Sequence, residues 1–124
     1  MLIADDDPVV TQLVRAGLRQ KGWEVDTAAD AMQAVMFAVR SPPDVVVLDI
    51  EMPGGTGLTA LQRLQSSMKT RNVPVLVLSG TTSEAEIAAV RDGGADRFLP
   101  KPVDMDVLHE ALCSLVGSVP PRAG

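Results

Sequence analysis

Residues 45–48 read Val-Val-Val-Leu without a polar break, and Asp49 follows at once. A strand with one face in water alternates apolar and polar side chains, whereas a strand covered on both faces reads as a continuous apolar run. A second run of this kind, Val73 to Leu78, closes on Ser79, with Pro74 tolerated near its start. Two such runs predict a parallel sheet with helices on both sides, because that is the arrangement in which neither strand face meets water.

The rest of the chain supplies the helices. Leu2 to Ala4 is a short apolar strand, and Pro8 to about Lys21 has helical spacing and closes at Gly22. Trp23 to Ala28 alternates like a strand; Ala31 to Arg40 is helical and stopped by Ser41-Pro42-Pro43. A loop with Pro53, Gly54, Gly55 and Gly57 leads into a helix from about Leu58 to Met68. Ser83, with Glu86 three residues on, resembles a capping box for a helix ending at Gly93-Gly94. Arg97 to Leu99 is a fifth short strand, and the last helix runs from about Asp104 to Val116 with Met105, Leu108, Leu112 and Leu115 on one face. Five strand-then-helix units make an α/β fold with right-handed crossovers. The 124 residues suit one domain, expected over 1–117, with 118–124 as linker or tail.

Composition removes several functions. The net charge of −5 disfavours direct nucleic acid binding by this domain, since phosphates require clustered Lys and Arg. Trp23, Phe37 and Phe98 are too scattered for a base-stacking platform. The start MLIADDD lacks the pattern of a secretory signal, and no apolar run approaches a membrane span, so a cytoplasmic location without membrane attachment is expected. Cys113 is the only cysteine, which fits a reducing compartment.

Asp5, Asp6 and Asp7 stand in a row after the first strand. A like-charged pair about 4 Å apart costs on the order of 4 kcal/mol near a protein surface. Asp7, ahead of Pro8, reads as a helix N-cap, which accounts for one acid and leaves two. In an open parallel sheet, ligands bind outside the carboxyl ends of the strands where the strand order reverses. The polar groups of this chain fall at those ends: Asp5 and Asp6, Asp49, Ser79 and Lys101.

The stretches LIADDD, VVVLDIEMPG, VPVLVLSG and GADRFLPKPV occur in that order, and over its whole length the chain resembles the receiver domain of two-component response regulators. The resemblance implies a flavodoxin-like doubly wound sheet of strand order 2-1-3-4-5. It implies Asp49 as phosphoacceptor, with Mg²⁺ held by Asp5, Asp6, Asp49 and the backbone carbonyl of Glu51. Ser79 and Lys101 would contact the phosphoryl group, and Ser79 with Phe98 would form the switch. The expected partners are a sensor histidine kinase or a histidine phosphotransfer protein. The output face would comprise the fourth helix, fifth strand and fifth helix, used for homodimerisation or for an effector domain beyond the C-terminus. Such a domain catalyses only its own phosphorylation and dephosphorylation and is otherwise not an enzyme. The chain departs from the commonest pattern at Gly80, where alanine is more frequent, at Phe98, where tyrosine is frequent, and at Ile50, which is not aromatic.

Other readings fit less well. A haloacid-dehalogenase-type phosphatase would carry DxD at its nucleophile, where this chain has Asp49-Ile50-Glu51. A flavodoxin would need a Ser/Thr/Gly-rich loop after the first strand rather than three carboxylates. A receiver that is never phosphorylated would usually lack one of the five site residues. Among the remaining residues, His109 is expected at the surface or on a helix flank, Cys113 as a small packed residue, and Met32 and Met36 as core filler. The glycines at 54, 55 and 57 lack the Gly-Lys-Ser/Thr of a phosphate loop.

Overall fold

The computed structural model describes residues 1–50, 57–80 and 83–116, over which strands and helices alternate. They are β1 (Leu2–Ala4), α1 (Pro8–Gln20), β2 (Asp26–Ala28), α2 (Ala31–Arg40), β3 (Val46–Asp49), α3 (Gly57–Ser66), β4 (Val75–Ser79), α4 (Glu84–Asp92), β5 (Arg97–Pro100) and α5 (Met105–Val116). All strands pair in parallel in the order β2-β1-β3-β4-β5. This is the order the resemblance implies.

Successive strand residues point to opposite faces, and here both faces are covered. Ala4, Val46, Leu48, Val75 and Val77 meet Ala34 and Ala38 of α2, Leu61 and Leu64 of α3, and Val90 of α4. Ile3, Val47, Leu76 and Leu78 meet Val14 and Leu18 of α1 and Leu108 and Leu112 of α5. The unbroken apolar runs follow from this arrangement, with each fully buried Val or Leu contributing about 1.5–3 kcal/mol.

Two expectations need correction. Met32 and Met36 are 44% and 54% exposed, so they are not core filler. The inward stripe of α2 is Ala31, Ala34 and Ala38, and at 3.6 residues per turn Met32 and Met36 sit about 100° and 140° round from Ala31. Strand β2 is also shorter than Trp23 to Ala28. The Trp23 amide donates to Leu18 O (3.1 Å), closing the end of α1 through Gly22 at φ 98°, so pairing with β1 begins only at Asp26, whose amide donates to Met1 O (2.9 Å). Trp23 and Val25 are buried all the same, in the layer beneath α5.

Helix starts are set by side chains. Asp30 Oδ1 accepts from the Gln33 amide (2.8 Å) while Gln33 Oε1 accepts from the Ala29 amide (2.7 Å). Ser83 Oγ accepts from the Glu86 amide at the start of α4. Asp104 Oδ1 accepts from the Asp106 and Val107 amides and so caps α5 rather than lying within it.

Candidate functional site

Asp5 follows β1 and is held in place by its own backbone. Its amide donates to Ala28 O (3.1 Å), and its Oδ1 accepts from the Asp7 amide (2.9 Å). Asp7 turns outward and caps α1, its Oδ1 accepting from Val9 N (2.9 Å) and Val10 N (3.5 Å) with Pro8 in the first turn. The row of acids therefore divides its labour as expected: Asp7 serves the helix, and Asp5 and Asp6 are left at the sheet edge.

Asp49 ends β3, in register with Leu78 of β4. Ser79 ends β4 opposite Pro100, and the Lys101 amide donates to Ser79 O (2.9 Å), so the ends of β4 and β5 are tied together. The Lys101 Nζ lies 2.9 Å from Asp49 Oδ2 and 4.0 Å from Asp5 Oδ2. Asp5, Asp49 and Ser79 are buried at 4%, 2% and 0% exposure, while Asp6 is exposed. The Lys101–Pro102 peptide is cis.

Asp5, Asp6 and Asp49 each offer a carboxylate oxygen, and these atoms lie within 4.8 Å of one another. Burial raises the Asp5 pKa above the ordinary carboxylate value; the Asp7 amide opposes the shift, the Asp49 charge adds to it, and Lys101 opposes it. Asp5 Oδ2 is a buried oxygen without a hydrogen-bond partner among the described residues. One lysine beside three carboxylates leaves negative charge uncompensated, and an orphaned carboxylate oxygen is the donor a hard divalent cation accepts. The donor set fits Mg²⁺.

Phe98 is half-buried on β5, opposite Val77, and packs into the layer under α4. Val75 and Val77 face that same layer, so alternation along β4 directs Ser79 to the Phe98 side of the sheet. Glu51, Pro53, Gly54, Gly55 and the 118–124 tail lie outside the described residues. His109 is half-buried rather than superficial, its Nδ1 accepting from Trp23 Nε1 (2.9 Å), with Cys113 Sγ 3.7 Å from Nε2. Two supporting residues escaped the sequence reading. Thr11 Oγ1, buried in the first turn, donates to Asp7 O (2.9 Å) and reaches Asp5 O (3.5 Å). Gly57 lies so close to the acceptor strand that a Cβ there would sit 2.7 Å from Asp49 O. A threonine four residues after a cap is a faint signal for the first; the second is a tertiary contact with no local sign.

Residues 1–113 match the sequence profile of the response regulator receiver domain. The chain belongs to the response regulator receiver domains. It is 36% identical over 106 residues to the DNA-binding dual master transcriptional regulator RpaA of Synechocystis sp., covering 86% of this chain and 44% of that protein. It is 35% identical over 124 residues to the response regulator MprA of Mycobacterium sp. strain KMS, covering 100% of this chain and 53% of that protein. The receiver thus spans about half the length of these relatives. Among solved structures it resembles the chemotaxis protein CheY4 of Vibrio cholerae, with a TM-score of 0.86, 30% identity and coverage of 92% and 95% of the two chains. It also resembles the receiver domain of the sensor histidine kinase PA1611 of Pseudomonas aeruginosa, described with a magnesium ion coordinated in its active site cleft. That match has a TM-score of 0.87, 28% identity and coverage of 94% and 96%. No helix among the described residues is long and apolar enough to cross a membrane.

Proposed function

We propose that this receiver is switched by phosphorylation at Asp49. The observation that carries the reading is the buried Asp49 carboxylate, with Lys101 Nζ 2.9 Å from Oδ2 and the Asp5 and Asp6 carboxylates beside it. An Asp49 oxygen attacks phosphorus as the bond from phosphorus to the donor atom breaks, giving an acyl phosphate and releasing the donor. Phosphoryl transfer asks little covalent chemistry of the protein beyond positioning and charge. Lys101 offers an ammonium to one phosphoryl oxygen, and the Ser79 hydroxyl donates to another. Asp5, Asp6 and Asp49, with the carbonyl of Glu51, would hold Mg²⁺, which supplies positive charge against the phosphoryl oxygens when bound. Asp5 and Asp6 thereby act as ligands and not as proton carriers.

The donor is a sensor histidine kinase or a histidine phosphotransfer protein, and the domain acts in the cytoplasm. Phosphorylation adds about −1.5 to −2 charge and three acceptor oxygens near the end of β4. Ser79 follows those oxygens, and Phe98, on the same side of the sheet, fills the space it leaves. That repacks the α4–β5–α5 face, which docks a second copy or an effector domain. RpaA is a DNA-binding regulator, and a DNA-binding effector is one output this receiver is suited to control. Apart from forming and hydrolysing its own acyl phosphate, it catalyses no reaction.

The test is incubation with acetyl phosphate and Mg²⁺ followed by intact-protein mass measurement. One alkali-labile phosphoryl group is expected, absent with EDTA and absent from Asp49→Ala. Labelling undiminished in Asp49→Ala would overturn the assignment.

A further inference from the structure

Strand β2 is one edge of the sheet. The Asp26 amide and the Ala28 carbonyl bond inward to Met1 and Asp5, so the peptide groups of Thr27 between them face outward. Along this edge runs a groove of about 400 Å³, bounded by Arg15 from α1 on one side of the sheet and by Phe37 and Arg40 from α2 on the other. Val25, Asp26 and Thr27 line it as well. The side chains of Arg15 and Arg40 make no ion pair or hydrogen bond with any described residue. In a chain of net charge −5, two uncommitted guanidinium groups facing one partly apolar groove are an anion site in search of its anion.

We infer that this groove binds a small organic phosphate with a planar apolar body, of the class of a nucleoside monophosphate. A phosphate matches the planar fork of each guanidinium, and bonds to an ionised pair are the strong ones. The half-buried Phe37 ring gives an apolar surface for a base. The outward Thr27 N–H and C=O and the Asp26 carboxylate offer a donor and acceptors for its polar edge and for sugar hydroxyls. The volume is at the small end of ligand pockets, which suits a mononucleotide. An added peptide strand is less suited, because β2 offers only three residues to pair with. None of Asp5, Asp6 and Asp49 lines the groove, although Arg15 and Thr27 also border the neighbouring pocket that holds Asp5 and Asp6.

The experiment is a ¹⁵N NMR titration of the whole chain, free of divalent metal, with adenosine monophosphate, adenosine and inorganic phosphate in separate arms. Adenosine monophosphate should give saturable shifts at the amides of 25–27 and 37–41 and at the side-chain Nε–H of Arg15 and Arg40. Its affinity should exceed that of either fragment, and Arg15→Gln and Arg40→Gln should each weaken it about tenfold, the loss expected for one charge-assisted contact. Both arginines are exposed, and the spectra themselves report that the variants fold. Three results would overturn the inference: no saturation at millimolar ligand, equal binding by both variants and the native chain, or inorganic phosphate binding as tightly as the nucleotide, which would mean an adventitious ion only.

Discussion

Replacing Asp5 with asparagine should stabilise the metal-free receiver while disabling the proposed metal site. The carboxylate is 4% exposed, and its Oδ2 has no hydrogen-bond partner among the described residues. With Lys101 Nζ at 4.0 Å, the attraction is about 4 kcal/mol at an effective dielectric of 20. The Asp49 oxygen within 4.8 Å repels by at least about 3.5 kcal/mol on the same scale, so the two Coulomb contributions nearly cancel. What remains is the burial of a charged, unpartnered oxygen, worth roughly 1–3 kcal/mol. Asparagine keeps the Oδ1 that accepts from the Asp7 amide at 2.9 Å and loses the charge. The expected gain is about 1–2 kcal/mol, or on the order of 4–8 °C in Tm for a domain of this size. The pH dependence fixes the cause. Burial raises the folded Asp5 pKa, so the folded state binds more protons than the unfolded chain. Native stability therefore falls as pH rises from the unfolded carboxylate value near 3.9 through the folded one, and the advantage of asparagine should be full at neutral pH and vanish below about pH 4. Thermal unfolding in EDTA across this range is the assay; saturating Mg²⁺ should then raise the native Tm and leave Asp5→Asn unmoved. An Asp5→Asn protein less stable than the native chain in EDTA at pH 7 would refute the reasoning, since Lys101 would then outweigh burial.

Five further outcomes are expected. Gly57→Ala, normally favourable inside a helix, should cost about 1–3 kcal/mol and slow phosphorylation, because its Cβ would lie 2.6 Å from Ile50 Cα and 2.7 Å from Asp49 O; urea unfolding and acetyl phosphate labelling read the two effects. Thr70→Val should lose about 1–2 kcal/mol in urea unfolding, since the buried Oγ1 donates to Leu64 O (2.7 Å) at the end of α3. His109→Ala should strand the buried Trp23 N–H at about 1–3 kcal/mol, measured by unfolding, while His109→Gln restores an acceptor; Trp23 emission should not respond to Mg²⁺. Beryllofluoride with Mg²⁺ should shift amides over 85–90 and 97–99 and promote self-association in sedimentation, with Ser79→Ala and Phe98→Ala weakening both responses while remaining folded.

The site was readable where it is made of strand ends. Asp5, Asp49, Ser79 and Lys101 each follow an apolar stretch, and parallel topology brings such positions to one edge, so convergence needed no side-chain detail. Asp7 was readable because capping is local. Met32 and Met36 were misjudged because the deciding fact is which helix face meets the sheet, and the small Ala31, Ala34 and Ala38 form that face. The length of β2 was misjudged because the Trp23 amide is taken by Leu18 O, a contact that alternation does not reveal. The Trp23–His109 bond joins residues 86 apart, and the crowding of Gly57 against Asp49 likewise depends on how elements pack.

The tie between Ser79 and Lys101, and the placing of Asp5 beside Asp49, also set a timetable. Asp5 leaves the ribosome early, yet the strand that brings Lys101 follows after on the order of 5–20 s of synthesis. Until then the sheet is missing β5, and the carboxylates face one another without the Lys101 ammonium. Under the proposed function, Asp49 therefore gains its full set of charged neighbours only once β5 has added to β4.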